Sequence, residues 1–353
     1  MSIPATSAGP IVERGRISFH LPDTGDGVAG VRLFTDRGFP AARDRFARDG
    51  DGWALTIDAP ALARFEYAFE LEFEGGGSAL VTDDANPRRA PGAFGEKSVV
   101  ELPGYAPPEW LDAPRAGGRT DGLTVASSTM GADVEVAVWR PEDVPDGEPL
   151  DLLVAHDGPE LDALARLTGY AAAQIAAGRL PRHRVALLAP GERDQWYSAS
   201  ALYARTLATQ VMPAIGEAVA VRRAVGMGVS LGALAMLHAH HRYPQLFSGL
   251  FLQSGSFFVP RFDAQEAGFV RYRRIVRNVR AMLRERAGLA VPVVLTCGAL
   301  EENDHNNRLM ARALAARGWP ASLHEGRDLH NFTAWRDAFD PHLTALLREV
   351  WAP

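Results

Sequence analysis

The sequence predicts an all-β region followed by an α/β region with a mostly parallel sheet. In the first third of the chain, short runs alternate apolar and polar residues with a period of two, and clusters of Gly, Asp and Pro separate them. In the remainder, apolar strand-like runs alternate with helical patterns, which is typical of a sheet with helices on both faces.

The alternating runs predict an antiparallel β-sandwich, because a period of two places apolar side chains on one face of each strand. These runs are residues 16–21, 28–34, 52–57 and 65–73. Stretches rich in Pro and Gly at residues 103–110 and 114–118 predict a linker. We therefore expect an accessory β-sandwich domain at residues 1–112 and a catalytic domain at residues 113–353.

The second region supplies the elements of the α/β prediction. Its strand-like runs are residues 152–155, 224–228 and 291–297, and its helical patterns are residues 201–212, 308–317 and 335–350. Each strand-like run opens into polar residues or glycines, and the carboxyl ends of parallel strands are where this class of fold holds its functional side chains.

Composition narrows the possible functions. The net charge of -6 argues against nucleic acid as the main partner, and the single cysteine excludes an internal disulfide. No basic, apolar leader segment and no stretch long enough to span a bilayer is visible, so we expect a cytoplasmic protein without a membrane partner. Nothing indicates a cofactor, and His238, His240 and His241 lack the acidic or cysteine partners of a metal site. The oligomeric state is open.

The segment Gly228-Val229-Ser230-Leu231-Gly232 joins a short apolar run to an alanine-rich helical segment. Strand, elbow and helix form the context in which the serine of G-x-S-x-G becomes a nucleophile, and the glycines let backbones approach without a Cβ clash. The alternative for the pentapeptide alone is an ordinary glycine-rich turn.

The order of residues along the chain favours the nucleophile. A doubly wound hydrolase presents nucleophile, acid and histidine in that order, and here Ser230 precedes Glu301 and His330. His330 would take the proton of Ser230, and Glu301 would orient the imidazole. Asp304 and then Glu302 are the alternatives for the acid.

Two backbone amides are expected to bind the oxyanion. The amide of Leu231 follows the nucleophile directly, and the second comes from the loop after residues 152–155. Pro159 has no amide hydrogen, which leaves Gly158 or Glu160, with Gly158 preferred.

Four stretches, which together cover most of residues 119–350, resemble the enterochelin esterases, a branch of the esterase D-like α/β-hydrolases. They are the apolar strand ending in Asp157-Gly158, the elbow continuing into Gln253-Ser254-Gly255-Ser256-Phe257-Phe258, Gly298 to Glu301 followed by Asn307, and His330 followed by Trp335-Arg336. The resemblance implies an α/β-hydrolase fold.

The amino-terminal region also resembles that family's accessory domain, an immunoglobulin-like sandwich, through residues 83–87, residues 98–103 and Trp110.

The resemblance to the enterochelin esterases implies hydrolysis of the ester bonds of a catecholate siderophore such as enterobactin, free or with iron bound. Such a substrate is aromatic and, with iron, anionic, so its pocket should combine aromatic and cationic side chains. The candidates for substrate binding are Arg193, Trp196, Tyr197, Phe257 and Trp335, of which Trp335 could equally pack the last helix.

Two other functions are open. A carboxylesterase or feruloyl-type esterase would keep the catalytic residues and act on another aromatic ester. A catalytically inert binding protein would keep only the fold, and a complete set of Ser230, Glu301 and His330 argues against it.

Overall fold

The computed structural model describes residues 9–22, 27–35, 44–113, 117–284 and 289–352. The chain divides into two compact units. Unit 1 is Met1–Ala106, Ala299–Glu301 and Arg327–Thr333, and unit 2 is Pro107–Gly298, Glu302–Gly326 and Ala334–Pro353. The predicted domain ranges, 1–112 and 113–353, stay a prediction. Residues 114–116 of the predicted linker lie outside the described residues.

Unit 1 contains two antiparallel sheets. Its strands are β1 (Ile11–Glu13), β2 (Arg16–Pro22), β3 (Val28–Thr35), β4 (Ala47–Asp49), β5 (Gly52–Asp58), β6 (Arg64–Phe73), β7 (Ser78–Val81), β8 (Arg89–Ala90) and β9 (Lys97–Glu101). One sheet has the order β1-β2-β5-β4, and the other has the order β3-β6-β9-β8 with β7 paired to β6. The four runs with a period of two coincide with β2, β3, β5 and β6 to within one residue, which confirms those predictions.

Aromatic side chains form the core of unit 1. Phe19 of β2 meets Tyr67 of β6 edge to face, with ring centroids 5.0 Å apart, and Phe69 lies on the same face of β6. The alternation of β2 explains this, since Ile17 and Phe19 are buried while Arg16 and His20 are exposed. Leu329 is also part of this core.

Unit 2 is built on an eight-stranded sheet. Its strands are β10 (Gly118–Val125), β11 (Val134–Pro141), β12 (Leu150–His156), β13 (His183–Leu188), β14 (Val221–Val229), β15 (Gly249–Gln253), β16 (Val293–Gly298) and β17 (Ala321–Gly326). Their order is β10-β11-β13-β12-β14-β15-β16-β17. The pairs β10–β11 and β11–β13 are antiparallel, and the other pairs are parallel. The prediction of a mostly parallel sheet is confirmed, and strands β12 to β17 end at one edge.

The helices alternate with these strands. They are α1 (Gly158–Ala165), α2 (Leu167–Ala176), α3 (Arg193–Trp196), α4 (Ala201–Thr206), α5 (Met212–Ala218), α6 (Leu231–Arg242), α7 (Tyr272–Arg284), α8 (Asp304–Ala316), α9 (Phe332–Asp337) and α10 (Thr344–Val350). The prediction of one helix over residues 335–350 is wrong, because Asp340 is extended within the segment between α9 and α10. Asp340 precedes Pro341, and a proline disfavours the helical conformation of the residue before it.

The stretch predicted as a linker ends in packed structure. A short 3-10 helix, Glu109–Asp112, follows residues 103–108, and its Trp110 is buried edge to face against Tyr170, with ring centroids 5.5 Å apart. Although this stretch is rich in Pro and Gly, its end is packed through the buried indole of Trp110. In the described part of the chain, no helix has the length and apolar character needed to cross a bilayer.

Candidate active site

Three neighbouring parallel strands each end in a non-glycine residue with positive φ. Asp157 follows β12 with φ 51°, Ser230 follows β14 with φ 55°, and Ser254 follows β15 with φ 50°. Such conformations cost about 1–3 kcal/mol each and concentrate at functional sites. This edge of the sheet is therefore the candidate active site.

Ser230 occupies a sharp elbow between β14 and α6. Its φ and ψ are 55° and -122°, its amide donates to the Gln253 carbonyl at 2.9 Å, and the residue is partly exposed. A Cβ on Gly228 would lie 2.5 Å from the carbonyl of Gly232, so only glycine fits there. This confirms the expected role of the glycine before the serine.

Ser256 is a neighbour of Ser230 that the sequence did not single out. The two hydroxyl oxygens lie 3.2 Å apart, and the amide of Ser256 donates to the Ser230 carbonyl at 3.1 Å. The signal in the sequence was the position of Ser256, three residues after the end of β15 and thus at the same edge of the sheet as Ser230.

Side chains from later elements hold the loop after β15. Trp335 donates its indole N–H to Ser254 Oγ at 3.0 Å, and its carbonyl accepts a hydrogen bond from Gln253 Nε2 at 3.0 Å. Asn307 donates to the Gly255 carbonyl at 2.9 Å and accepts from the Gly255 amide at 3.1 Å. The loop that contacts Ser230 is thus fixed by buried hydrogen bonds.

The segments after β16 and β17 bring a carboxylate to a histidine. Glu301 Oε1 lies 3.5 Å from His330 Nδ1, the Glu301 side chain is buried, and His330 is partly exposed. The alternative acid, Asp304, instead contacts Arg308 at 3.2 Å and the adjacent His305. Glu301 is therefore the acid that the structure places beside His330.

The loop after β12 carries an ion pair and the predicted second oxyanion donor. Arg193 Nε and Nη2 donate to Asp157 Oδ1 and Oδ2 at 2.7 and 2.9 Å. Burial alone would lower the pKa of Arg193, but the Asp157 carboxylate outweighs it and raises the pKa. Gly158 begins α1, and a Cβ there would lie 2.4 Å from Leu187 Cα, so the close approach requires glycine.

His156 connects this loop to the elbow. Its Nδ1 lies 3.0 Å from the Gly232 carbonyl, its Nε2 lies 2.9 Å from Tyr203 Oη, and its ring stacks on Tyr197. Burial lowers the pKa of His156 to about 4, so the imidazole is neutral at pH 7. A buried neutral ring with both nitrogens engaged acts as a structural link between two loops.

The Esterase family matches residues 127–346 of this chain. The chain belongs to this esterase family. No curated protein matches it significantly in sequence.

Solved structures of two enterobactin esterases match nearly the whole chain, and that of a ferulic acid esterase matches two thirds of it. The enterobactin esterase FES from Shigella flexneri, crystallised in the presence of enterobactin, has a TM-score of 0.79 and 18% identity over 98% of this chain and 96% of its own. The ferric enterobactin esterase of Salmonella typhimurium has a TM-score of 0.75 and 19% identity over 99% and 98%. A ferulic acid esterase has a TM-score of 0.56 and 15% identity over 66% of this chain and 98% of its own. At these identities the likeness concerns the fold.

The residues predicted to bind substrate differ in their exposure. Tyr197 and Phe257 are fully buried, and Trp196 and Trp335 are nearly so. Arg193 keeps 34% of its side chain exposed. Burial favours a packing role for the four aromatic side chains, and their contact with a substrate stays a prediction.

In the described ranges of the esterase, no group of three His, Cys, Asp or Glu side chains is arranged to hold a metal ion. In the helical histidine group, His240 Nε2 donates a hydrogen bond to the Leu289 carbonyl at 3.1 Å.

Proposed function

We propose that this protein is a serine esterase that hydrolyses the ester bonds of a catecholate siderophore of the enterobactin type, free or with iron bound. The observation that carries the proposal is the partly exposed Ser230 on its strained elbow in a member of the esterase family. In this proposal unit 2 is an α/β-hydrolase domain and unit 1 is an immunoglobulin-like sandwich.

The proposed reaction uses Ser230 as nucleophile. Its Oγ attacks the ester carbonyl while His330 takes the hydroxyl proton, and Glu301, which faces Nδ1, leaves Nε2 for that transfer. His330 then gives the proton to the leaving alcohol, which yields an acyl-serine. Water, deprotonated by His330, attacks the acyl group, releases the acid and regenerates Ser230.

Two helix starts would supply the oxyanion donors. Leu231 is the first residue of α6 and Gly158 is the first residue of α1, and amides at these positions have no partner within the helix. The preceding strands, β14 and β12, are neighbours in the sheet. Two donors matter because the loss of one costs about 3 kcal/mol of transition-state stabilisation.

The substrate class rests on fold likeness and on chemistry. The structures with the high TM-scores reported above are enterobactin esterases. Arg193 offers partly exposed positive charge for an anionic substrate, although Asp157 neutralises much of it. A single cysteine, Cys297, suits the reducing cytoplasm, where we place the reaction.

A feruloyl-type esterase is the second candidate. The likeness to a ferulic acid esterase, with a TM-score of 0.56, favours it to a lesser degree because it covers 66% of the chain. Turnover of methyl ferulate alongside enterobactin separates the two, since each enzyme class should prefer its own ester.

Labelling with a fluorophosphonate followed by peptide mass spectrometry tests the nucleophile. We expect one adduct, on Ser230, that is absent in Ser230→Ala and retained in Ser256→Ala, whose hydroxyl lies only 3.2 Å away. The absence of any adduct would favour the inert binding protein, and an adduct on Ser256 would reassign the nucleophile.

A further inference from the structure

A buried arginine of unit 1, Arg64, contacts residues on both sides of His330 in the sequence. Arg64 of β6 donates through Nη1 to Asp328 Oδ2 at 2.8 Å and to Asn331 Oδ1 at 3.2 Å, and through Nη2 to Glu66 Oε1 at 3.0 Å. The Arg64 side chain is only 2% exposed. One guanidinium therefore fixes the residue two before the histidine and the residue one after it.

Further hydrogen bonds join the segment around His330 to the residues that precede Arg64. The Ala63 amide donates to the Arg327 carbonyl at 2.6 Å, and Arg327 donates from Nη2 to the Leu62 carbonyl at 3.1 Å. Leu329 is fully buried in the core that Phe19 and Tyr67 form. Within residues 328–331, His330 alone is partly exposed. This segment is thus clamped on both sides while the imidazole stays accessible.

Stability alone does not explain such a cluster. Burial would lower the pKa of Arg64, but Asp328 and Glu66 outweigh it and raise the pKa, so the guanidinium stays charged. Buried ion clusters often contribute no more stability than apolar side chains of the same volume, and in some proteins they specify one geometry. The geometry specified here is the backbone that carries His330.

We propose that Arg64 is a positioning residue for His330. The inference rests on the proposed function. Arg64 acts through Asp328 and Asn331: it keeps the imidazole facing Glu301, 3.5 Å away, without touching the substrate. Loss of this geometry lowers kcat and leaves KM almost unchanged, because proton transfer is impaired and substrate contacts are retained.

The test compares Arg64→Lys with Arg45→Lys in the full-length protein. Lysine keeps the charge but cannot hold two partners in the planar fork of arginine. Arg45 is a matched control, because it makes a two-contact pair in the same unit, at 2.9 and 3.1 Å, and its partner Glu72 is not one of the residues to which Arg64 donates. Kinetics on 4-nitrophenyl butyrate are normalised to active sites titrated with a fluorophosphonate.

We expect the kcat of Arg64→Lys per titrated site to fall at least about tenfold, which corresponds to about 1.4 kcal/mol of activation free energy. Its KM should stay within about twofold of the wild-type value. Arg45→Lys should keep the wild-type kcat and KM. Unchanged kcat per site in Arg64→Lys, or a loss that only follows the titrated fraction, overturns the proposal. If Arg64→Lys does not fold, the test uses Asn331→Ala, which leaves the Arg64–Asp328 pair in place. This variant must show the same loss of kcat. A wild-type kcat in Asn331→Ala would overturn the proposal.

A separate result identifies failure of the proposed function. If Ser230→Ala still hydrolyses the ester, the nucleophile assignment is wrong and the positioning role falls with it. If Ser230→Ala is inactive and Arg64→Lys is fully active, only the positioning role is wrong.

Discussion

Ser230, Asp157 and Ser254 each have a positive φ at the end of a parallel strand. A specific contact stabilises each conformation. The Ser230 amide donates a hydrogen bond to the Gln253 carbonyl, Arg193 forms an ion pair with Asp157, and the Trp335 indole N–H donates to Ser254 Oγ. These contacts offset the cost of the conformations. The glycine spacing predicts the elbow at Ser230. Asp157 and Ser254 lie in stretches that resemble the family, but their contacts with Arg193 and Trp335 could not be predicted from the sequence.

The identity of the catalytic acid is the first prediction at the residue scale. Glu301→Gln keeps the shape of the side chain but removes the charge that would stabilise a protonated His330, so kcat should fall by about 10²–10⁴. Asp304→Asn is the matched control, since Asp304 contacts Arg308 and His305. Steady-state kinetics on an aryl ester decide the point, and a larger loss in Asp304→Asn would make Asp304 the acid.

At the scale of elements, the loops after β12, β14 and β15 form one hydrogen-bonded edge. His156 links the first loop to the elbow, and Ser256 links the third loop to Ser230. Strands β12, β14 and β16 could be predicted from apolar runs, whereas β15 was not among the predicted strands. The candidate site could be predicted from the polar residues that follow these runs. The support by Trp335 and Asn307 could not, because their partners lie 81 and 52 positions away in the chain.

Trp335 should act through this support. Trp335→Phe removes the buried indole N–H that donates to Ser254 Oγ. Because this hydrogen bond is lost, the free energy of unfolding should fall by about 1–2 kcal/mol. KM should stay within about twofold of the wild-type value. Denaturant unfolding and kinetics measure the two effects.

Trp351→Phe is the control for ring size, because the indole nitrogen of Trp351, also buried, has no hydrogen-bond partner among the described residues. An increase in KM for Trp335→Phe without loss of stability would instead place Trp335 in the substrate pocket.

At the scale of the whole molecule, unit 1 includes two short segments from the carboxyl-terminal half of the chain. Arg64 and Asp328 are 264 positions apart, and they meet in one buried cluster together with Asn331. Local periodicity and proline-rich punctuation carry no information about such a contact. The sequence therefore predicted the two kinds of sheet but not that the segments with Glu301 and His330 cluster with the amino-terminal strands.

Buried neutral histidines should make the whole fold sensitive to acid. Burial lowers the pKa of His156 and of His183 to about 4 each. Between about pH 6.5, the usual pKa of histidine, and pH 4, the unfolded chain binds protons that the folded chain does not, so stability falls as pH falls. Each fully buried histidine should account for up to about 3 kcal/mol over this window.

Denaturant unfolding at pH 7.5 and pH 4.5 measures this effect. His183→Gln should reduce the difference between the two free energies of unfolding by about 2–3 kcal/mol, whereas His20→Gln, on an exposed position of β2, should leave it unchanged. If His183→Gln leaves the difference between the free energies of unfolding at pH 7.5 and pH 4.5 unchanged, then His183 does not take up a proton when the protein unfolds at the lower pH.

The most direct test of the proposed function is hydrolysis of enterobactin and of its ferric complex by the purified protein, followed by chromatography of the dihydroxybenzoyl-serine products. We expect product from at least one form and a loss on the order of 10³-fold or more in Ser230→Ala. Intact siderophore alongside rapid turnover of aryl esters would reject the substrate, and product formation by Ser230→Ala would contradict the nucleophile.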